Sequence, residues 1–259
     1  MSHQSNIRRK IIDIAYFCGK GCHVGSSLSV VDILTALFSV VDNAENEVIL
    51  SKGHAALAWY ATLNEFGKIT DEKLNSFEEN GSDLTVLAVK KKELGFACST
   101  GSLGQGISVA VGMAIAMQKK KQFGTIYVVL GDGECNEGIV WEAAQLAGHH
   151  RLKNLCVLVD HNGFQSDGDS LKIIDLKNIS RMWEANGFCV NEVDGHDVKS
   201  IASVLENNRQ LDRPQAIICN TIKGYGVSFM ENSTEWHYNR LTKEMYLLAV
   251  HELEERNVG

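Results

Sequence analysis

A chain of 259 residues, 44% of them apolar, can bury a large core, and its 32 acidic against 25 basic side chains leave it mildly acidic at −7. The basic residues are dispersed apart from two lysine triplets at 90–92 and 119–121, which argues against a nucleic-acid or membrane-surface binder. The longest run of apolar or small residues, 107–117, is too short to span a bilayer, residues 1–10 lack a signal-peptide core, and the seven cysteines include no CxxC pair, so a cytoplasmic chain with reduced, structural thiols is expected.

Apolar residues recur at helical spacing over 7–17, and Gly19 ends that helix. A polar turn at 22–27 carries His23 and leads into a second apolar helix over 28–41. Residues 48–50 form a short strand that runs into Ser51-Lys52-Gly53-His54, followed by a helix over 55–66. A polar short helix is expected over 69–80, whereas 81–98 shows no readable period. Ser99-Thr100-Gly101-Ser102-Leu103-Gly104-Gln105-Gly106 is a loop with three glycines before a small-residue helix over 107–119, and repeated glycine lets backbone approach a ligand.

The centre of the chain is a strand over 126–130, the turn Gly131-Asp132-Gly133-Glu134, a helix over 137–149, and a second strand over 155–159 stopped by Asp160-His161-Asn162-Gly163. A helix of that length between two apolar strands makes a βαβ crossover, so the strands are parallel and Asp132 and Asn162 meet at one carboxyl edge. Further on come a helix over 179–186, a strand over 188–193, a helix over 198–207, a strand over 215–222 ending in Lys223-Gly224-Tyr225-Gly226, then Glu235-Trp236-His237 and an amphipathic helix over 241–255. The βα alternation continues without a Pro-, Ser- or charge-rich linker. The expected fold is therefore a single α/β domain over 1–259, a doubly wound, mostly parallel sheet with helices on both faces.

In such sheets ligands bind at the carboxyl edge. One carboxylate, one amide oxygen and the carbonyls of a turn form a hard, incomplete oxygen shell, which suits Mg²⁺ completed by substrate phosphates and water. His54 places a titratable ring at a helix start beside this edge. Lys223, at another strand end, can approach a diphosphate.

GDGE followed about thirty residues later by an Asn resembles the metal–diphosphate motif of thiamine diphosphate enzymes, and GDGECNEGIVWEAAQLAGHHRLKNL is closely similar to the transketolase family. The likeness covers roughly residues 9–237. It implies that Asp132, the Asn162 side chain and the Phe164 carbonyl hold Mg²⁺, with Ca²⁺ or Mn²⁺ as substitutes. It implies His23, His54 and His237 as catalytic residues around substrate and cofactor, from the family's HPG, LSxGHA and WHG segments. Here Val24 replaces the usual Pro and Tyr238 the usual Gly. It further implies His54, Gly101, Leu103, Gly133, Glu134, Lys223 and His237 as cofactor contacts beside Asp132 and Asn162.

Thiamine diphosphate supplies a thiazolium carbanion that adds to a ketose carbonyl. In the family, the Glu that activates the aminopyrimidine lies on a separate pyrimidine domain, followed by a third domain. The diphosphate module consumes essentially all of this sequence, so the resemblance implies the N-terminal subunit of a split transketolase. Its partner would be a C-terminal subunit with the pyrimidine domain, two of each chain forming a heterotetramer that transfers a two-carbon ketol unit between sugars or sugar phosphates. Where the family carries a Gly-His-Pro that binds the donor's terminal hydroxyl, this sequence reads Leu87-Ala88-Val89. That departure leaves open an acyl or acetyl donor, or an unusual ketose. A noncatalytic structural subunit is the third reading, against which the Asp132–Asn162 pair argues.

Overall fold

The computed structural model describes residues 2–41, 45–207 and 211–256. Three strands form its centre: β2 (Ile126–Gly131), β3 (Leu155–His161) and β5 (Gln215–Asn220) are almost continuously buried. Apolar on both faces, they suit only a sheet covered on both sides. β1 (Glu47–Leu50) and β4 (Cys189–Asp194) are the edges, in the order β1-β2-β3-β5-β4. Every pairing is parallel, as in Val128 beside Val157 and Leu158 beside Ile217. The carboxyl ends Leu50, Gly131, His161 and Asn220 therefore share one edge.

Alternation along the strands divides the core in two. Tyr127, Val129, Cys156, Leu158 and Ile217 face α1 (His3–Phe17), α2 (Val24–Ser29), α3 (Val31–Val40), α4 (Ala56–Glu65), α10 (Val198–Asn207) and α11 (Lys243–Arg256). Val128, Leu130, Val157, Val159 and Ile218 face α6 (Gln105–Lys119), α7 (Gly138–His149) and α9 (Ile179–Ala185). Two short helices, α5 (Asp71–Asn75) and α8 (Ser170–Ile173), lie in the connections. The doubly wound parallel sheet expected from the sequence is the observed fold.

Three local differences bear on the site. The turn expected over 22–27 ends at His23, which is the N-cap of α2, and the helix expected over 28–41 is two helices broken at Val30. Val24 to Ser29 are all buried, so burial rather than polarity decides their conformation. The helix after Asp132 does not start at once: a 3₁₀ turn, Gly133–Asn136, sets the start of α7 back to Gly138. Finally, the expected helix over 69–80 shrinks to α5, which Thr70 caps by accepting from the Lys73 N–H.

Residues 81–98 hold one 3₁₀ turn, Lys92–Leu94, and an isolated bridge between Lys91 and Phe96. Their backbone is stitched to the sheet edge instead: the Ala88 N–H donates to the Gly53 carbonyl at 3.1 Å and the Thr100 N–H to the Ala88 carbonyl at 2.9 Å. Leu87 is thereby carried to the mouth of the cavity described next.

Candidate active site

The carboxyl edge opens into a cavity of about 470 Å³ lined by loops after β1, β2 and β3 together with the residue 22–26 and 235–237 segments. Of the residues singled out in the sequence, His23, His54, Gly101, Leu103, Asp132, Gly133, Glu134, Asn162, Phe164 and His237 all line it. Lys223 lies just behind, its Nζ donating to the Gln165 carbonyl at 3.1 Å and standing 3.1 Å from His237 Nδ1.

Asp132 is anchored on the loop that follows β3. Its Oδ2 accepts from the Gly163 N–H at 2.9 Å and from the Ser170 hydroxyl at 3.1 Å. Asn162 Oδ1 accepts from the Phe164 N–H at 3.0 Å, an Asx-type turn that fixes the amide oxygen. The loop closes on itself through the Ser170 N–H to the Gly163 carbonyl at 2.9 Å. Asp132, Asn162 and Phe164 thus converge through a hydrogen-bonded loop. Burial, with Asp160 nearby, pushes the Asp132 carboxyl above the usual carboxylate range, and a cation at this place would offset both effects. Among the described residues no three His, Cys, Asp or Glu side chains form a metal-holding group. The oxygen set here contains only one carboxylate.

Glu134, only 1% exposed, does structural duty from inside the wall. Oε1 accepts from the Gly104 N–H at 2.8 Å and from the Ser51 hydroxyl, and Oε2 from the Gly131 N–H at 3.1 Å. Burial raises its pKa, and these three donors work against that rise. One side chain therefore ties the glycine loop and the end of β1 to the end of β2.

The three histidines form a triangle with ring centroids 5.3, 5.3 and 5.4 Å apart. Burial, then the charges of Lys223 and Lys52, holds His23 at about 4; the same causes, with His23 adding to them, hold His237 at about 4. Burial and Lys52 keep His54 well below the ordinary histidine value. All three rings are neutral near pH 7, and each can offer one N–H and one lone pair.

Two lysines provide the charge. Lys52 is buried in an ion pair with the fully buried Asp160, which also accepts from the hydroxyls of Ser29 and Thr221. Burial works to raise the Asp160 pKa, but Lys52 and the two hydroxyls prevail and hold it below the usual range. The hydrogen bonds of Lys223, by contrast, go to a carbonyl and an imidazole, and neither is an anion. Burial and Lys52 bring Lys223 down to about 8, so it is still mostly protonated at neutral pH.

A buried ammonium with neutral partners calls for an anionic ligand. The same wall holds buried polar atoms without a protein partner, namely His23 Nδ1, Gln165 Nε2 and Asn136 Oδ1. Lys223, Gln165 Nε2 and a His23 ring protonated at Nδ1 can donate to a polar anion of diphosphate type, whereas Asn136 Oδ1 is an acceptor and calls for a donor. Sequence reasoning missed Lys52, Asn136 and Gln165. Lys52 stands immediately before Gly53-His54, and its signal is a lysine at the joint between the apolar strand ending at Leu50 and the apolar helix expected from Ala55. Asn136 and Gln165 carry no such signal.

A family model described as transketolase, thiamine diphosphate binding domain, matches residues 3–249. The chain is 39% identical to the 6-deoxy-6-sulfo-D-fructose transketolase subunit SqwG of Clostridium sp. (strain MSTE9), covering 98% of this chain and 96% of that one. It is 38% identical to an apulose-4-phosphate transketolase subunit of Actinobacillus succinogenes, covering 96% and 94% of the two chains. The crystal structure of transketolase from Campylobacter jejuni superposes with a TM-score of 0.85 at 30% identity, over 97% of this chain but 42% of that one.

Proposed function

Because the chain belongs to the transketolase family, whose thiamine diphosphate binding domain spans nearly all of it, we propose that it is the diphosphate-binding subunit of a two-chain transketolase. The complex moves a two-carbon ketol unit from a ketose donor to an aldose acceptor. Two relatives that are almost fully covered carry the word subunit in their names, which supports a partner chain. The partner supplies the pyrimidine-binding domain, with two copies of each chain.

The observation that carries the proposal is the convergence of the Asp132–Asn162–Phe164 loop with a buried Lys223 and three neutral histidines in one cavity. Thiamine diphosphate, once bound, supplies the carbanion that takes up the ketol unit. Asp132, the Asn162 amide oxygen and the Phe164 carbonyl would hold Mg²⁺, or Ca²⁺ or Mn²⁺ in its place, against the diphosphate. Lys223 would neutralise the diphosphate, His54 and His237 would donate to it or to the substrate, and His23 would face the sugar oxygens. Gly101, Leu103 and Gly133 bring backbone to the cofactor, and Glu134 holds the glycine loop in place from behind.

Asp132→Ala should abolish Mg²⁺-dependent retention of thiamine diphosphate, measured by calorimetry on the purified chain, and remove activity from the reconstituted complex. Undiminished retention would sink the metal–diphosphate reading and favour a purely structural subunit. The purified chain alone should show negligible ketol transfer, with activity on adding the partner.

The names of the relatives point to ketoses with a phosphate or sulfonate at the far end. A second reading rests on Leu87, which lines the cavity and cannot hydrogen-bond a donor hydroxyl. It favours an acetyl donor. Comparing 6-deoxy-6-sulfo-D-fructose, xylulose 5-phosphate, hydroxypyruvate and pyruvate as donors separates the two: preference for pyruvate would overturn ketol transfer.

A further inference from the structure

Away from the cavity floor, two cysteines stand closer than their sequence spacing suggests. Cys18 caps the end of α1, and Gly19, at a φ of 65°, turns the chain back so that Cys22 returns to it. The two Sγ atoms are 3.5 Å apart. Both sulfurs also lie within 4 Å of the Lys20 carbonyl, Cys18 at 3.9 Å and Cys22 at 3.8 Å. Cys22 is buried, whereas Cys18 lines an open surface groove beside Lys20 and Glu78. Cys135, Cys156 and Cys219 are buried in the core, so the Cys18–Cys22 pair combines access with a neighbouring thiol.

The pair is joined to the wall of the candidate active site. Cys22 and Asn239 exchange two backbone hydrogen bonds, of 2.9 and 3.2 Å. A side chain at Gly21 would run into the Tyr238 ring, so the turn packs directly on that residue. Tyr238 in turn packs on His23, with ring centroids 4.8 Å apart. Closing a disulfide requires the sulfurs to approach to about 2 Å. With Cys18 held by the end of α1, part of that movement passes through Cys22 into His23 and the 237–239 segment.

We propose that Cys18 and Cys22 are a redox pair, that hydrogen peroxide converts them to a disulfide, and that the disulfide shifts the His23–His237 wall of the cavity. The Cys18 thiolate attacks one peroxide oxygen, the O–O bond breaks, and the hydroxide released takes a proton to become water. Cys22 Sγ then attacks the sulfur of the Cys18 sulfenic acid, the S–O bond breaks, and hydroxide leaves with the Cys22 proton as a second water. Two thiols are oxidised by two electrons and one peroxide is reduced to two waters. Cys18 is the attacking thiol because it is accessible and because the hydrogen bond from Cys22, aided by Lys20, lowers its pKa to about 6. The same hydrogen bond, and then burial, push Cys22 up.

Lys20 lies between the two cysteines, so trypsin separates them and only a disulfide rejoins the peptides. The full chain, treated with hydrogen peroxide and digested without reductant, should yield the peptide ending at Lys20 linked to the one beginning at Gly21. Dithiothreitol should undo the link, and Cys18→Ser and Cys22→Ser should each prevent it. Hydrogen exchange of the intact oxidised chain should quicken at the Cys22 and Asn239 amides on the order of tenfold relative to the reduced chain. The same treatment of Cys18→Ser should leave both amides unchanged. Absence of the linked peptide, or linkage through Cys98 or Cys189 instead, would overturn the pairing. A Cys18–Cys22 link with unaltered exchange at both amides would overturn the coupling to the cavity wall. Neither readout depends on thiamine diphosphate, so failure here is distinct from failure of the proposed function.

Discussion

Three neutral imidazoles packed between two ammonium groups carry a stability cost that depends on pH. His23 and His237 titrate at about 4 in the fold and at about 6.5 when unfolded. Between those values the unfolded chain binds more protons, so stability falls as pH drops from 6.5 and the loss is complete below about 4. Each ring contributes on the order of 1–2 kcal/mol once the solvent that still reaches it is allowed for. His237→Asn, which cannot titrate, should show a shallower fall in urea midpoint between pH 6.5 and 4.5 than the unaltered, ligand-free chain. Parallel curves would contradict the neutral-ring assignment. The Lys52–Asp160 pair sets a second test. Lys52→Met removes the cation and leaves a fully buried carboxylate with hydroxyl and weak amide donors, which should cost about 3–5 kcal/mol in urea unfolding. This pair was not legible in the sequence because its members are 108 positions apart, and no local pattern says which lysine a buried aspartate will meet.

At the scale of elements, what could be read followed the physics of burial. β2, β3 and β5 were legible because strands covered on both faces are continuous apolar runs. The break at Val30 between α2 and α3 was not, since it lies inside an apolar stretch whose two helical pieces are buried from end to end over Val24 to Leu37. Residues 81–98 resisted reading because scattered bonds to Gly53, Trp59, Tyr60, Glu78 and Thr100, rather than a period, hold them. Gly148 is a case where the local rule and the packing disagree. Ala is better than Gly in a helix interior by about 1 kcal/mol. Yet a Cβ at Gly148 in α7 would run into the Asn186 carbonyl after α9, with Gly187 alongside. Overpacking against backbone costs about 1–3 kcal/mol, and a carbonyl cannot rotate away as a side chain can. We therefore expect Gly148→Ala to lower stability by about 1–2 kcal/mol in a denaturant titration. A gain of stability would show that the α7–α9 contact yields easily.

For the whole molecule, the distribution of exposed apolar residues matters more than the net charge. Leu87 (39%), Ile173 (39%) and Ile174 (55%) are exposed where they line the cavity mouth, and Val89 (52%) and Leu171 (66%) are their exposed chain neighbours. Contiguous exposed apolar surface is a mark of an interaction site. Under the two-chain reading it is where the partner closes the cavity. A small ligand inside the cavity would still leave Leu171 in water, because that side chain lines a separate, smaller hollow of about 100 Å³ beside it. Leu171→Asp therefore discriminates between cover by ligand and cover by protein. The substituted chain should keep its melting temperature and its Mg²⁺-dependent thiamine diphosphate binding, since α8 contributes no buried residue. Its titration with partner should shift to higher concentration by on the order of tenfold or more, because a charge replaces apolar surface whose burial is worth about 25 cal/mol per Å². Full reconstitution at unchanged partner concentration would place the interface elsewhere.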